Sequence, residues 1–395
     1  MKRYFKEEHF LLRDMVRDFS INEVRPKAKE VDTGIFPKEN IDKMAELGLM
    51  GIPWEEKYGG NGMDTLALVI AIEEIGKECA STAATMMAHT SLGTGPIAIF
   101  GTDKQKEKYL PELTSGRMLG AFGLTEPNAG SDAGNTQTRA VANKDGFIVN
   151  GQKVFCTNAG YAGTIIFTAV MIEDGEEKGI GAFIVEKGTD GLRIGEPENK
   201  MGWKGSDTRS VYFEDMFISK DNILGNPSKG FKQFLKTLTG GRITIGALAL
   251  GTAQGAYQRA LKYSHERKAF GKKINQFQGI SFKIADMATS IQASKHLVYH
   301  AAYKKDQGES IIKEAAMAKL FSSEMCMNVT TEAIQIFGGY FPFATRFSLD
   351  VPAMFKYYGL DEIWAEAYGE VDNVTWLSTS AWDPCHLFTV NKPIR

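Results

Sequence analysis

The residues best suited to move a proton crowd one stretch near the end of the chain, "YGLDEIWAEAYGEVDN", which holds Asp361, Glu362, Glu366, Glu370 and Asp372. Carboxylates at 362, 366 and 370 recur every four residues, so on a helix they share one face. Such a face is either a solvated acidic surface, the common fate of charge runs, or the source of a general base. A second stretch has different chemistry. "GAFGLTEPNAGSDAG", Gly120 to Gly134, is rich in glycine and carries the hydroxyls of Thr125 and Ser131. Glycines there let backbone N–H groups approach a flat or phosphorylated ligand; a plain connecting loop is the alternative. Metal chemistry finds no ligand set. His296 and His300 stand at i,i+4 but lack the intervening Glu and the third ligand of a zinc protease. Cys79, Cys156, Cys326 and Cys385 form no CxxC pair, which predicts reduced thiols.

The elements that must position these residues follow from pattern. Leu12, Val16 and Phe19 make a helical stripe. "TLALVIAIEEIGKECASTAATMMAHTSLGTGPIAIFG" predicts long apolar helices broken at Gly93, Gly95 and Pro96, and "DKQKEKYLPELTSG" a further helix ending near Gly116. The texture then changes. "KDGFIVNGQKVFCT" carries a DG and an NG turn signal, and "TIIFTAVMI", "GIGAFIVEK" and "RSVYFEDMFI" read as strands. From Lys229 the helical period returns, with Ile280, Ile284, Met287 and Ile291 on one stripe. The order is α, then β, then α: an α+β chain of several domains, at 1–118, 119–228 and 229–395. It is not the alternating βα order of a doubly wound nucleotide fold, and neither GxGxxG nor GxxxxGK[ST] occurs.

Composition narrows the field. The 395 residues are 43% hydrophobic and 24% charged with a net charge of −2, which leaves no electrostatic case for nucleic acid. "MKRYFKEEHF" has no apolar signal core, and no run of eighteen uncharged apolar residues predicts a membrane span. A cytoplasmic globular protein is expected.

Several of these stretches resemble one family. "FGLTEPNAGSDAG" is similar to the signature of the acyl-CoA dehydrogenases, "NGQKVFCTNAG" to their β-domain flavin segment, "RKAFGKKINQFQGISFKIADM" to their first long C-terminal helical hairpin, and "QIFGGY" to their glycine turn. The likeness spans roughly residues 5 to 340, in order, and is nearest the short-chain, butyryl-type members. It implies an N-terminal helical domain, a middle β-barrel-like domain and a C-terminal four-helix bundle. It further implies non-covalent FAD, a short-chain acyl-CoA substrate, a homotetramer built as a dimer of dimers, and electron delivery to an electron-transfer flavoprotein.

Carried over by position, Phe122, Leu124, Thr125, Gly130 and Ser131 would line the flavin, with Phe155 and Thr157 over its other face. Arg267, Phe270 and Gln278, with Gln335, Gly338 and Gly339 from a second subunit, would hold the ADP half; an arginine fork suits phosphate. Ser131, Arg242, Ser206, Asp207 and Trp364 would contact the CoA thioester. Glu366 aligns with the family's base, although Ala367 and Tyr368 replace the Gly-Thr that usually follows; Glu362 and Glu370 are the alternatives. Some relatives carry the base on the earlier helix, where this chain has Gly241. The implied reaction removes an α-proton and a β-hydride, which needs a carboxylate whose pKa burial has raised. A base-free, desulfinase-like flavoprotein, or a silent ligand-binding subunit, would share the same fold.

Overall fold

The computed structural model describes residues 4–338, together with the backbone of two short strands at 373–376 and 388–391. Helix α1 (Glu7–Phe19) buries Leu12, Val16 and Phe19 as its stripe predicts. After a π-helical turn come α2 (Arg25–Val31) and α3 (Lys38–Glu46). Helix α4 (Thr65–Gly76) is buried at every one of its 12 residues, the signature of a helix enclosed on all sides.

Burying α4 brings carboxylates inside, and each is answered. Glu73 accepts from Lys295 Nζ at 2.7 Å and Tyr299 Oη at 2.5 Å. Glu74 meets Arg17 and Lys77. Glu78, just past the helix end, is shared by Arg25 and Arg259. At the other end, Asp306 accepts from the backbone N–H groups of Thr65 (2.8 Å) and Leu66 (3.1 Å), two of the donors a helix start leaves unsatisfied.

Glycine and proline do not break the next segment as expected. Helix α5 (Ala80–Met87) passes into a π-helical stretch, Ala88–Thr94, and on into α6 (Gly95–Phe100); the interruption lies upstream, at 77–79. A π-helix absorbs one extra residue per turn, and such stretches often adjoin functional sites. Helix α7 (Asp103–Thr114) starts from a capping box of Thr102 and Gln105.

Seven strands form one mixed sheet: β1 (Leu119–Gly123), β2 (Arg139–Asn143), β3 (Gly146–Thr157), β4 (Ala162–Glu173), β5 (Glu176–Glu186), β6 (Leu192–Pro197) and β7 (Thr208–Ser219). Their order is β1-β4-β2-β3-β7-β6, with β5 on the other edge of β4. Strand β4 pairs in parallel with β1 along its first half and with β2 along its second. The DG signal makes the β2–β3 hairpin. The NG signal does not make a turn: β3 runs on through Asn150–Gly151, where the register slips into a bulge. Gly151 adopts φ 142°, and a Cβ there would stand 2.7 Å from Thr138 Cα.

The C-terminal part holds α8 (Gly230–Glu266), a small hairpin of β8 (Lys268–Ala269) and β9 (Lys272–Lys273), α9 (Gln278–Asp306) and α10 (Ile312–Phe337). Met287 and Ile291 are buried and Ile280 and Ile284 pack half-buried against the same core, as their period predicts. Strands β10 (Asn373–Trp376) and β11 (Phe388–Asn391) pair antiparallel. The fourth helix of the expected bundle falls outside the described residues. Cys79, Cys156 and Cys326 are buried and form no disulfide; Cys385 lies outside the described residues. No helix among the described residues is long and apolar enough to cross a membrane.

Candidate active site

The site begins where the π-helical stretch meets β1. A Cβ on Gly93 would stand 2.4 Å from Gly120 C, and one on Gly120 would stand 2.9 Å from Gly93, so only glycines allow this contact. Beside it Gly120 N–H donates to His89 Nδ1 (3.0 Å), and His89 Nε2 lies 2.9 Å from the Leu113 carbonyl. An accepting Nδ1 places the proton on Nε2, so the ring is neutral. Burial pulls its pKa down to about 4, against the pull of the Leu113 bond.

From this anchored strand, Phe122 stacks on Phe234 of α8 at 4.1 Å. The following loop is fastened to β3 by a buried ion pair. Lys153, fully buried, donates to Glu126 Oε1 at 2.6 Å, to the Leu124 carbonyl at 3.2 Å and to Thr168 Oγ1 at 3.1 Å. Glu126 also accepts the backbone N–H groups of Gln137 (2.5 Å) and Thr138 (3.1 Å). Burial raises the Glu126 carboxyl, but the Lys153 charge and these donors more than offset it, and its pKa is lowered. Burial lowers the Lys153 ammonium, with Glu126 opposing. Val154 N–H donates to the Thr125 carbonyl at 2.8 Å. Leu124 and Thr125 are thereby locked against β3.

On β3 itself the register slips again between Lys153 and Cys156, and Phe155 sits at φ 58°. A left-handed aromatic costs on the order of 1–3 kcal/mol, and bulges of this kind re-aim a side chain beside active sites. Thr157, buried, closes the strand. Cys156 between them is inert: burial pushes its thiol up to about 12. Beyond the strand, Asp207 accepts from Gly160 N–H at 2.7 Å and Arg209 Nε at 2.7 Å, and its carbonyl accepts from Asn158 N–H. Asp207 therefore buttresses the turn after β3, and Ser206 beside it is buried with its hydroxyl unpartnered; the resemblance places both along a CoA channel. Gly130 and Ser131 sit on the loop, Ser131 exposed.

A second group gathers elsewhere. Arg267, Phe270 and Gly338 line one cavity of about 660 Å³ with Tyr263, Phe277 and Ile336. Phe270 is 95% exposed at the tip of the β8–β9 hairpin, at φ 49°. Gln278 opens α9 and Gln335 lies one turn before Gly338, both exposed. The sequence divides these residues between two subunits; in this chain Arg267, Phe270 and Gly338 line the same cavity.

A third feature is a cavity of about 550 Å³ along α8, bounded by Trp54, Ser91, Thr237, Gly241 and Thr244. Arg242 is half-buried beside it on the same helix. Glu366, Glu362, Glu370, Trp364 and Gly339 lie outside the described residues. Among the described residues one group, Glu8, His9 and Asp64, has ligand atoms close enough for a metal. Both His9 nitrogens are engaged there, by Lys6 N–H and Asp64.

The residues are of the types a flavin takes: Phe122 leads into a glycine-rich loop, and β3, which carries Phe155 and Thr157, fastens that loop through Val154 and Lys153. Sequence reading missed what fixes it. A lone lysine in the apolar run "KVFCT" was the available signal for Lys153, and none pointed to His89.

The chain matches "Acyl-CoA dehydrogenase, N-terminal domain" over residues 6–117, the middle domain over 121–216 and the C-terminal domain over 228–364. It is 51% identical over 335 residues to a probable acyl-CoA dehydrogenase, YngJ, of Bacillus subtilis, covering 84% of this chain and 88% of the relative. The butyryl-CoA dehydrogenase structure from Megasphaera elsdenii superimposes with a TM-score of 0.85 at 44% identity, over 88% of this chain and 93% of that one. A chain in the structure of the electron transferring flavoprotein of Acidaminococcus fermentans matches equally, with a TM-score of 0.85, 44% identity, and 88% and 93% coverage. The chain belongs to the acyl-CoA dehydrogenase family, enzymes whose cofactor is FAD.

Proposed function

We propose that the chain is a cytoplasmic enzyme that dehydrogenates a short-chain acyl-CoA thioester across its α,β bond, with Glu366 as base and an electron-transfer flavoprotein as acceptor. The observation that carries this reading is the locked edge formed by Leu124, Thr125, Phe155 and Thr157 over the Lys153–Glu126 pair. Bound FAD supplies the acceptor for the β-hydride. The protein does the rest. Phe122 and Phe155 present aromatic faces to a flat ring, and Thr157 offers a hydroxyl at its edge. Glu366 takes the proton from Cα, which requires burial to raise its pKa towards working pH. Gly241, lining the α8 cavity without a side chain, offers no rival base there.

Arg267, Phe270, Gln278, Gln335, Gly338 and Gly339 hold the ADP half of a neighbouring copy's FAD, within a homotetramer built as a dimer of dimers. Their gathering in one chain supports assigning the whole set to one donor subunit. The likeness to a chain from the structural work on the electron transferring flavoprotein of Acidaminococcus fermentans supports the acceptor.

Anaerobic titration of the FAD-loaded protein with butyryl-CoA tests this. Loss of the visible flavin band with recovery of crotonyl-CoA is expected, and Glu366→Gln should abolish it, by 10²-fold or more in rate, while still binding the thioester. Bleaching that survives in Glu366→Gln refutes the base; a bound thioester that never bleaches the wild-type flavin refutes the dehydrogenation.

A further inference from the structure

Lys153 is a fully buried cation that the reaction proposed above does not use as a charge. An ammonium has three N–H groups, and here all three are spent, on Glu126 Oε1, the Leu124 carbonyl and Thr168 Oγ1. Keeping such a charge out of water is costly, and burial lowers its pKa, with Glu126 opposing. Fastening a loop does not by itself require it, because well-packed neutral groups of the same shape hold as firmly as a buried ion pair.

The backbone that Lys153 grips shows where the charge acts. Three consecutive carbonyls of the loop are taken by donors of the protein: Leu124 by Lys153 Nζ, Thr125 by Val154 N–H and Glu126 by Ala129 N–H. Glu126 N–H in turn donates to the Ala129 carbonyl. The N–H of Thr125 stands apart, since none of the described residues accepts from it. In a trans peptide the N–H and C=O point in opposite directions. A Leu124 carbonyl drawn to Lys153 therefore turns the Thr125 N–H away from β3. Leu124 and Glu126 are each 3% exposed, and Thr125 between them is half-buried, so the free N–H belongs to the residue of the three that reaches the surface. A cation on the carbonyl oxygen polarises the peptide and strengthens its N–H as a donor. Glu126 does not cancel this, because its oxygens also receive the N–H groups of Gln137 and Thr138, and the ammonium end of the pair is the one that abuts the peptide.

We propose that Lys153 is a positioning residue that sets the reduction potential of bound FAD, by aiming and polarising the Thr125 N–H towards the edge of the flavin that gains negative charge on reduction. A hydride from the thioester adds one negative charge to the flavin while the α-proton goes to the base, so a donor strengthened in advance favours the reduced form. The inference rests on the reading above in one respect, that Thr125 lines the flavin. It adds a residue that acts on the cofactor through a peptide rather than by contact.

The test needs no thioester. The two-electron potential of the full-length, FAD-loaded protein is measured by equilibration with a reference dye, together with the dissociation constants of oxidised and of reduced FAD. Lys153→Met combined with Glu126→Gln removes both charges and strands neither. Its affinity for reduced FAD should fall about tenfold more than its affinity for oxidised FAD, as when a charge-assisted hydrogen bond becomes a neutral one, which lowers the potential by about 30 mV. Lys153→Gln combined with Glu126→Gln, which keeps a neutral donor for the Leu124 carbonyl, should show most of the same fall. An equal loss of both affinities with the potential unmoved would leave the pair as a clamp alone and overturns the proposal. If neither variant folds, the wild type still decides. Loaded with an FAD analogue that carries a thiolate on its benzenoid ring, it should show the long-wavelength quinonoid absorption that arises when negative charge is drawn to the pyrimidine edge; a plain thiolate spectrum overturns the proposal. A shifted potential in a protein that butyryl-CoA never bleaches upholds the role of Lys153 and refutes the dehydrogenation, and bleaching with an unmoved potential does the reverse.

Discussion

Phe155 and Phe270 are both aromatic residues held at positive φ, 58° and 49°, and both are assigned to FAD by resemblance. Phe155 is half-buried on a strand whose neighbours are clamped by the buried Lys153–Glu126 pair. Phe270 is 95% exposed at a hairpin tip, with one ring contact, to Phe277 at 6.1 Å. A strained backbone persists only where its surroundings over-determine it. Around Phe155 those surroundings are internal. Around Phe270 the chain supplies few of them, which accords with a binding edge that a second copy completes.

This contrast can be tested from its strong side first. Lys153→Met would leave Glu126 buried with its charge unanswered, so a loss of roughly 3–5 kcal/mol is expected in urea denaturation. Adding Glu126→Gln should restore part of it. The neighbouring histidine gives the next effect. With a folded pKa of about 4 and an unfolded value of 6.5, His89 takes up a proton on unfolding in the window between them. Stability from this group is therefore complete above pH 6.5 and falls as pH drops towards 4, by about 3 kcal/mol. A pH series comparing wild type with His89→Gln should lose that slope in the mutant.

Gly93→Ala should cost about 1–3 kcal/mol, because its methyl meets the Gly120 backbone rather than a movable side chain. At the exposed end, Phe270→Ala should change stability by no more than about 0.5 kcal/mol, while raising the FAD dissociation constant. If Phe270→Ala destabilises as much as Gly93→Ala, the division into a braced end and an open end is wrong.

What the sequence made legible follows the same division. Periodicity located α1 and α9 because each has one face towards a core, apolar runs between turn signals marked β3, β4, β5 and β7, and the glycine-rich stretch marked the loop beside Phe122. The Asn150–Gly151 pair misled because a hairpin turn and a bulge both call for positive φ at glycine. Gly93, Gly95 and Pro96 misled because a π-helical stretch tolerates what an α-helix does not. Lys153 stood out as a lone charge without a visible partner, and Glu126 and His89 gave no signal, for a different reason. Their partners lie between 11 and 31 residues away, beyond the reach of a helical or strand period, so no local pattern pairs them.

The carboxylates of α4 extend that lesson from space to time. Glu78 waits for Arg259, Glu73 for Lys295 and Tyr299, and the start of the helix for Asp306, 241 residues after Thr65. At a synthesis rate of about 5–20 residues per second, that interval lasts roughly ten to fifty seconds. Through it the most apolar helix of the N-terminal part is on the ribosome's far side without the partners that let it be buried. The chain therefore cannot mature segment by segment from its beginning, and a nascent fragment ending before α9 is a natural client for a chaperone.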